Sequence, residues 1–211
     1  WEIPDAVGNN VKVRISHSDD ANVVAVCTNA IKILGAITDI VPNGGQIWYK
    51  GDSKDISWYE YGTITNVKIE YKTTLTGALN TVVADDGGHV PGANSYTWTS
   101  VADENSEACY IRVSDADPLR YPDVFGVSVA PFSMRPKITV SQPTLDLNLV
   151  VASNSNTIAW GLNGSTKVQY VKLYYSKDAG AFTNVIDDSG TVDATVPYTW
   201  NNIPDAISGD I

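Results

Sequence analysis

The residues with the most capacity for chemistry in this chain are acidic. Asp85-Asp86 and Asp187-Asp188 are adjacent carboxylates, a pairing that suits acid–base work or calcium ligation. Glycines stand beside both pairs, at Gly87-Gly88 and Gly190, and that composition reads as a turn. A second oxygen-rich stretch, Ser114-Asp-Ala-Asp117 with Asp123 close behind, supplies calcium candidates in Asp115, Asp117 and Asp123. Its spacing is not that of an EF-hand loop. His17 and His89 stand apart from any Ser or Cys nucleophile motif, so no catalytic triad is expected. Cys27 and Cys109 lack the Cys-x-x-Cys or Cys/His spacing of a zinc site and read as small buried apolar residues. Asn163-Gly-Ser165 is a glycosylation acceptor pattern. Without a nucleophile–base pair or a polar cluster that would form a pocket, the expectation is no enzyme, and no cofactor beyond the calcium candidate.

Composition narrows the partners. The formal charge is −10 over 211 residues. That balance argues against nucleic-acid binding, which needs clustered Lys and Arg to displace counterions, and against docking on anionic lipid. No apolar run approaches the ~20 residues of a membrane span. Charged residues are 18%, while Thr, Ser, Asn, Gly, Val and Tyr are plentiful. Such a mix suits an extracellular or cell-surface β protein with polar turns. The sequence opens at Trp1 with no initiator Met or signal peptide, so processing, excision or a longer parent chain is expected.

The elements that position these residues come from an internal repeat. Trp58 and Trp98 are 40 residues apart, and so are Trp160 and Trp200. The first of each pair closes an apolar run, Ile56-Ser-Trp58 and Ile158-Ala-Trp160. The second closes Tyr96-Thr-Trp98 and Tyr198-Thr-Trp200. A period of roughly 100 residues matches one ordinary domain. In the middle copy, strands are expected at 36–41, 47–49, 54–60, 66–73, 79–84, 95–100, 108–114 and 124–131. Pro42-Asn-Gly-Gly45 turns between the first two, and Asn66-Val-Lys-Ile-Glu-Tyr71 alternates with the period of a half-buried strand. Short strands with turn signals every ~8–12 residues point to an all-β fold of tandem immunoglobulin-like or fibronectin III-like sandwiches. The boundaries are 1–35 for the last strands of a preceding copy, 36–136 for a whole copy, and 137–211 for a following copy lacking its last two strands. Val11-Lys-Val-Arg-Ile-Ser16 matches Cys109-Tyr-Ile-Arg-Val-Ser114, with Arg14 and Arg112 in step.

Recurrence inside strands assigns Trp58, Trp98, Trp160 and Trp200 to the core, because equivalent positions fill the same space in each copy. Trp48 has Leu149 as its counterpart. With Tyr49, Tyr59, Tyr61 and Tyr121 it is a candidate for a surface aromatic patch, although leucine at the equivalent place argues that Trp48 is at least half buried.

Pro42-Asn-Gly-Gly-Gln-Ile-Trp-Tyr-Lys-Gly51, Ile56-Ser-Trp58, Val67-Lys-Ile-Glu-Tyr71, Tyr96-Thr-Trp98 and Ile111-Arg-Val-Ser-Asp115 together resemble a repeat of large secreted and cell-surface bacterial proteins. That repeat is similar to the domain of Ser/Thr-rich, GPI-anchored and cell-wall glucan-synthesis proteins of fungi. The third copy departs from it at Pro143-Thr-Leu-Asp-Leu147. The resemblance implies an accessory or structural module and carries no catalytic residue onto this chain.

The two end pieces are complementary. About two strands are too few to be stable alone. A sandwich without its last two strands exposes an apolar face and an open edge. Each piece is therefore expected to be completed by another copy, in a longer continuous polypeptide or by strand exchange between subunits. Trp1–Val11 and Trp200–Ile211 are the same connection and cannot fill one place, which favours the continuous or end-to-end arrangement. The expected function is a structural repeat of an extracellular fibre, stalk or sheath whose partners are other copies of itself. The alternative is an adhesin, carbohydrate-binding or spacer module with a glycan or cell-surface ligand.

Overall fold

A computed structural model describes residues 2–117, 123–144, 149–153, 156–177 and 180–205. The described residues are all β, with no helix. The chain divides into two compact units. The first is Trp1–Trp48, Asp52–Val101 and Ser106–Met134, and the second is Tyr49–Gly51, Ala102–Asn105 and Arg135–Ile211.

The first 35 residues carry four short strands, β1 (Gly8–Val11), β2 (Arg14–Ser16), β3 (Val24–Val26) and β4 (Ile31–Ile33). β1 pairs with β4 and β2 with β3, all antiparallel. Asp5 clasps the piece to its unit by accepting from the Thr63 amide and the Thr63 hydroxyl, both at 2.8 Å.

The rest of the unit is built from β5 (Ala36–Val41), β6 (Ile47–Tyr49), β7 (Lys54–Tyr61), β8 (Asn66–Lys72), β9 (Asn80–Gly87), β10 (Gly92–Trp98), β11 (Ser106–Asp115), β12 (Phe125–Val127) and β13 (Phe132–Arg135). One sheet runs β10-β7-β5, and the other runs β6-β13-β11-β8-β9 with β12 also on β11. Alternation explains their inner faces. Along β7, Ile56, Trp58 and Glu60 are buried while Tyr59 and Tyr61 face out. Ring contacts join the two sheets. Trp98 of β10 lies 5.3 Å from Tyr71 of β8 and 6.2 Å from Trp48 of β6, and Trp48 lies 4.8 Å from Phe132 of β13. Each fully buried Ile or Phe of this core contributes about 1.5–3 kcal/mol relative to exposure.

Two local expectations are corrected. The strand expected at 124–131 is shorter, β12 at Phe125–Val127, with a further strand, β13, beginning at Phe132; between them Asn43 Oδ1 takes the amides of Val129 and Ala130, and Pro131 has none to give. Asp85-Asp86 and Asp187-Asp188 lie in strands, not turns. β9 is the edge of its sheet, so its carboxylates stay beside solvent without leaving the ladder.

The second unit holds β14 (Thr139–Gln142), β15 (Asn156–Gly161), β16 (Tyr170–Tyr175), β17 (Asn184–Asp193) and β18 (Tyr198–Trp200), as β14-β15-β18 and β16-β17. Most of its pairings repeat those of the first unit, although Val171 faces Val192 rather than the Gly190 that the Val67–Asp86 pairing would set. Thr139 faces Gly161 and Gln142 faces Ala159, as Thr38 faces Tyr59 and Val41 faces Ser57, with an irregularity between the pairs each time. Both leading strands run into a cis proline, Pro143 and Pro42. Ile158 faces Tyr198 as Ile56 faces Tyr96. Tyr175 faces Asn184 as Tyr71 faces Asn80. The Tyr175–Trp200 ring contact, at 5.6 Å, repeats that of Tyr71 and Trp98.

The piece at 1–35 repeats the remaining strands in the same way. Arg14 faces Val26 and Ser16 faces Val24, as Arg112 faces Val127 and Ser114 faces Phe125. Gly8 faces Ile33 and Val11 faces Ile31, as Ser106 faces Met134 and Cys109 faces Phe132, again with matching irregularities. Even the side chains that cap the ladder agree in place. Val13 donates its amide to Cys27 Sγ, and Ile111 donates its amide to Ser128 Oγ.

Candidate functional site

An apolar groove of about 920 Å³ lies inside the second unit. Val140, Ile158, Trp160, Leu173, Tyr175 and Trp200 line it. The groove exists because β16 pairs with β17 alone among the described strands, leaving its other edge open. In the first unit the corresponding edge of β8 carries β11, with Tyr71 facing Ile111 and Ile69 facing Val113. The inner residues of β16, Val171, Leu173 and Tyr175, are therefore only half buried. Hydrophobic side chains with an unpaired strand edge beside them can accept an added strand through main-chain hydrogen bonds.

A second cluster lies within the first unit. The Trp58 indole N–H donates to Glu60 Oε1 at 2.6 Å, and Glu60 Oε2 is buried without a hydrogen-bond partner among the described residues. Burial pushes the Glu60 carboxyl above its ordinary range, against the lowering effects of the Trp58 donor and of His89. The His89 ring stands edge-on to Trp58 at 5.1 Å and bonds to Asp86 at 3.0 Å and Asn94 at 3.3 Å. The cluster brings an acid and an imidazole near each other around an indole. The partners of the His89 ring are a carboxylate and an amide, and neither is a nucleophile that the ring would activate.

The residues singled out by sequence fall as follows. Trp58 and Trp98 are buried, while Trp160 and Trp200 are half buried and line the groove. Trp48 is not a surface aromatic: it is packed between Trp98 and Phe132, because β6 turns its ring inward. Tyr49, Tyr59 and Tyr61 are exposed, and the last two rings are 4.9 Å apart on the outer side of β7. Tyr121 lies outside the described residues. The calcium candidates are not brought together as a ligand group among the described residues. Asp115 is buried with Oδ1 bonded to the Asp117 amide, whereas Asp123 is exposed and pairs with Lys32 at 3.3 Å. Cys109 is buried and Cys27 half exposed, and the two do not form a disulfide.

Sequence reasoning missed Glu60. The signal was present, since a glutamate at an inward position of an alternating strand breaks the apolar pattern of Ile56 and Trp58. It also missed Asp103, which accepts from the Ser165 hydroxyl at 2.6 Å and the Thr166 amide at 2.7 Å inside the second unit. The Asp5 clasp on Thr63 is its counterpart in the first. No protein-family model matches the chain, and no curated protein matches it.

Proposed function

We propose that the chain is a run of immunoglobulin-like or fibronectin III-like repeats, a structural element of an extracellular or cell-surface fibre, stalk or sheath that joins other copies end to end. The observation that carries this reading is the recurrence of strand register. Most pairings of the middle segment reappear at both ends, with irregularities at corresponding places. A β10-β7-β5 sheet facing a β6-β13-β11-β8-β9 sheet supports the sandwich assignment. On this reading residues 1–35, 36–136 and 137–211 are the end of one copy, a whole copy and the start of another. The chain is no enzyme, and it takes neither nucleic acid nor a required cofactor. Immunogold microscopy of producing cells, with antibody against this chain, is expected to decorate extended surface structures at intervals. Label confined to the cell interior would overturn the reading.

One observation favours the adhesin alternative. The exposed Tyr59–Tyr61 pair offers two tilted rings to solvent, the kind of surface on which a sugar ring stacks. A glycan array probed with the chain and with Tyr59→Ala/Tyr61→Ala separates the two. Glycan binding lost in the variant supports the adhesin.

A further inference from the structure

We propose that the β1–β4 ladder of a second copy completes the open face of the second unit, with β2 lying along the free edge of β16. The proposal rests on the repeat reading above, takes the junction between separate copies over the continuous one, and names its partner and register. Two surfaces carry it. One is the apolar groove of the second unit, open where β16 lacks a neighbour. The other is the ladder itself. It has the register of β11 with β12 and β13, yet its apolar side chains are outside. Ile111 and Val113 are both 0% exposed, whereas their counterparts Val13 and Ile15 are 43% and 74% exposed. Phe132 is buried, and its counterpart Ile31 is exposed. The same residues in the same pairing are core in one place and surface in the other, and the difference is the sheet they lack.

The first unit is the template for the join. There β11 adds to β8 with Ile111 opposite Tyr71, Val113 opposite Ile69 and Asp115 opposite Val67. Carried across the repeat, Val13 lies opposite Tyr175, Ile15 opposite Leu173 and His17 opposite Val171. The inner face of β16 matches this placement, since Val171, Leu173 and Tyr175 are the residues turned toward the groove. Main-chain hydrogen bonds along β16 supply affinity, and the alternate apolar side chains supply register. Because ladder and groove are different surfaces, the contact is heterologous and passes from copy to copy without closing on a pair.

The test follows the 211-residue chain by sedimentation velocity over a range of concentrations, with hydrogen exchange of the β16 amides measured on the same samples. Mass is expected to grow with concentration, and β16 protection with it. Ile15→Asp alters a side chain that is exposed in the free chain. It is expected to weaken association about a hundredfold, because it would place a charge in an apolar site, while exchange in β7, β8 and β11 stays as before. Leu173→Asp blocks the same contact from the groove side. Mixing the two variants is expected to restore dimers that grow no further, since one competent junction remains. A second arm covers misfolding of the Leu173→Asp chain. Ile15→Cys and Leu173→Cys copies, each also carrying Cys27→Ser, are expected to form a mixed disulfide on oxidation, whereas Ile15→Cys with Tyr174→Cys does not. Three results would overturn the proposal: a chain that stays monomeric with β16 unprotected, β16 protection independent of concentration, or association that survives Ile15→Asp. The last would leave the fibre reading standing with its join elsewhere, whereas an intracellular location defeats that reading whatever the groove does.

Discussion

Replacing Trp58 by Phe isolates the buried polar link in the first unit. The substitution keeps an aromatic ring but removes the donor that reaches Glu60 Oε1, and Oε2 already has no hydrogen-bond partner among the described residues. A buried acceptor left unsatisfied costs about 1–3 kcal/mol. The volume lost between indole and phenyl adds about 1 kcal/mol. Trp58→Phe is therefore expected to cost about 2–4 kcal/mol, and Trp58→Ala, which empties the site, about 3–5 kcal/mol. The pH dependence follows from Glu60. Burial raises its carboxyl pKa from the ordinary 4.5, so the folded chain keeps a proton that the unfolded chain has released. Its contribution to stability is thus lost as pH climbs from 4.5 through the raised value. The Trp58 donor favours the ionised form, so Trp58→Phe costs more at pH 7 than at pH 4. Glu60→Gln alone gains stability at pH 7 relative to pH 4, and it reduces the cost of Trp58→Phe. Urea titrations at both pH values, with exchange of the 54–61 amides followed by mass spectrometry, read the first unit directly. Equal costs at the two pH values, together with additivity of the two substitutions, would refute the reasoning.

Other substitutions test the repeat. Arg112 is buried and pairs at 3.2 Å with Glu70, which Lys68 also meets at 2.6 Å. Arg112→Ala is expected near the lower end of the about 3–5 kcal/mol for breaking a buried pair, because Lys68 remains. Arg14→Ala, in the same register on an exposed strand, should stay within about 0.5 kcal/mol in the dilute chain, by denaturant titration. In the second unit the Ser165 and Thr166 donors outweigh burial and hold the Asp103 carboxyl below its ordinary range. Its support is present above the unfolded-state pKa and lost as pH falls through the lowered one, so protection of the Thr166 amide, taken relative to its intrinsic exchange rate at each pH, should fall toward acid pH. Asp103→Ala should show the reduced protection at every pH.

The fold was legible where the sequence repeats. Trp58, Trp98 and the alternation of Asn66–Tyr71 located β7, β10 and β8, since a period of two and a fixed aromatic interval leave little freedom in register. Trp48 was harder to place. Its outward neighbours Ile47 and Tyr49 are as apolar as it is, so nothing along that strand marks the inner face. The carboxylate pairs were misread because Asp-Asp-Gly has turn composition, and only pairing partners reveal an edge strand. The groove was harder to read, because its lining depends on how β16 and β18 bring Tyr175 and Trp200 together. The inward place of Glu60 was readable from the alternation of β7, whereas the approach of His89 to the same indole depends on the fold.

The acidic edge of the first unit has a consequence for crowding. β9 ends its sheet with Asp85 and Asp86 in the strand, Asp85 held by the Asn66 side-chain amide at 2.6 Å. Two molecules that met along this border would bring four carboxylates into one ladder. Each pair of like charges at contact distance opposes the encounter by about 1 kcal/mol even in water. Sideways merging of sheets, the route by which all-β chains clump, is thereby discouraged along this border. The free side of β16 carries no acidic residue, only Lys172 among its six positions. The molecule thus has a guarded flank and an unguarded one, and a concentrated solution of it is expected to thicken into threads before it thickens into mats.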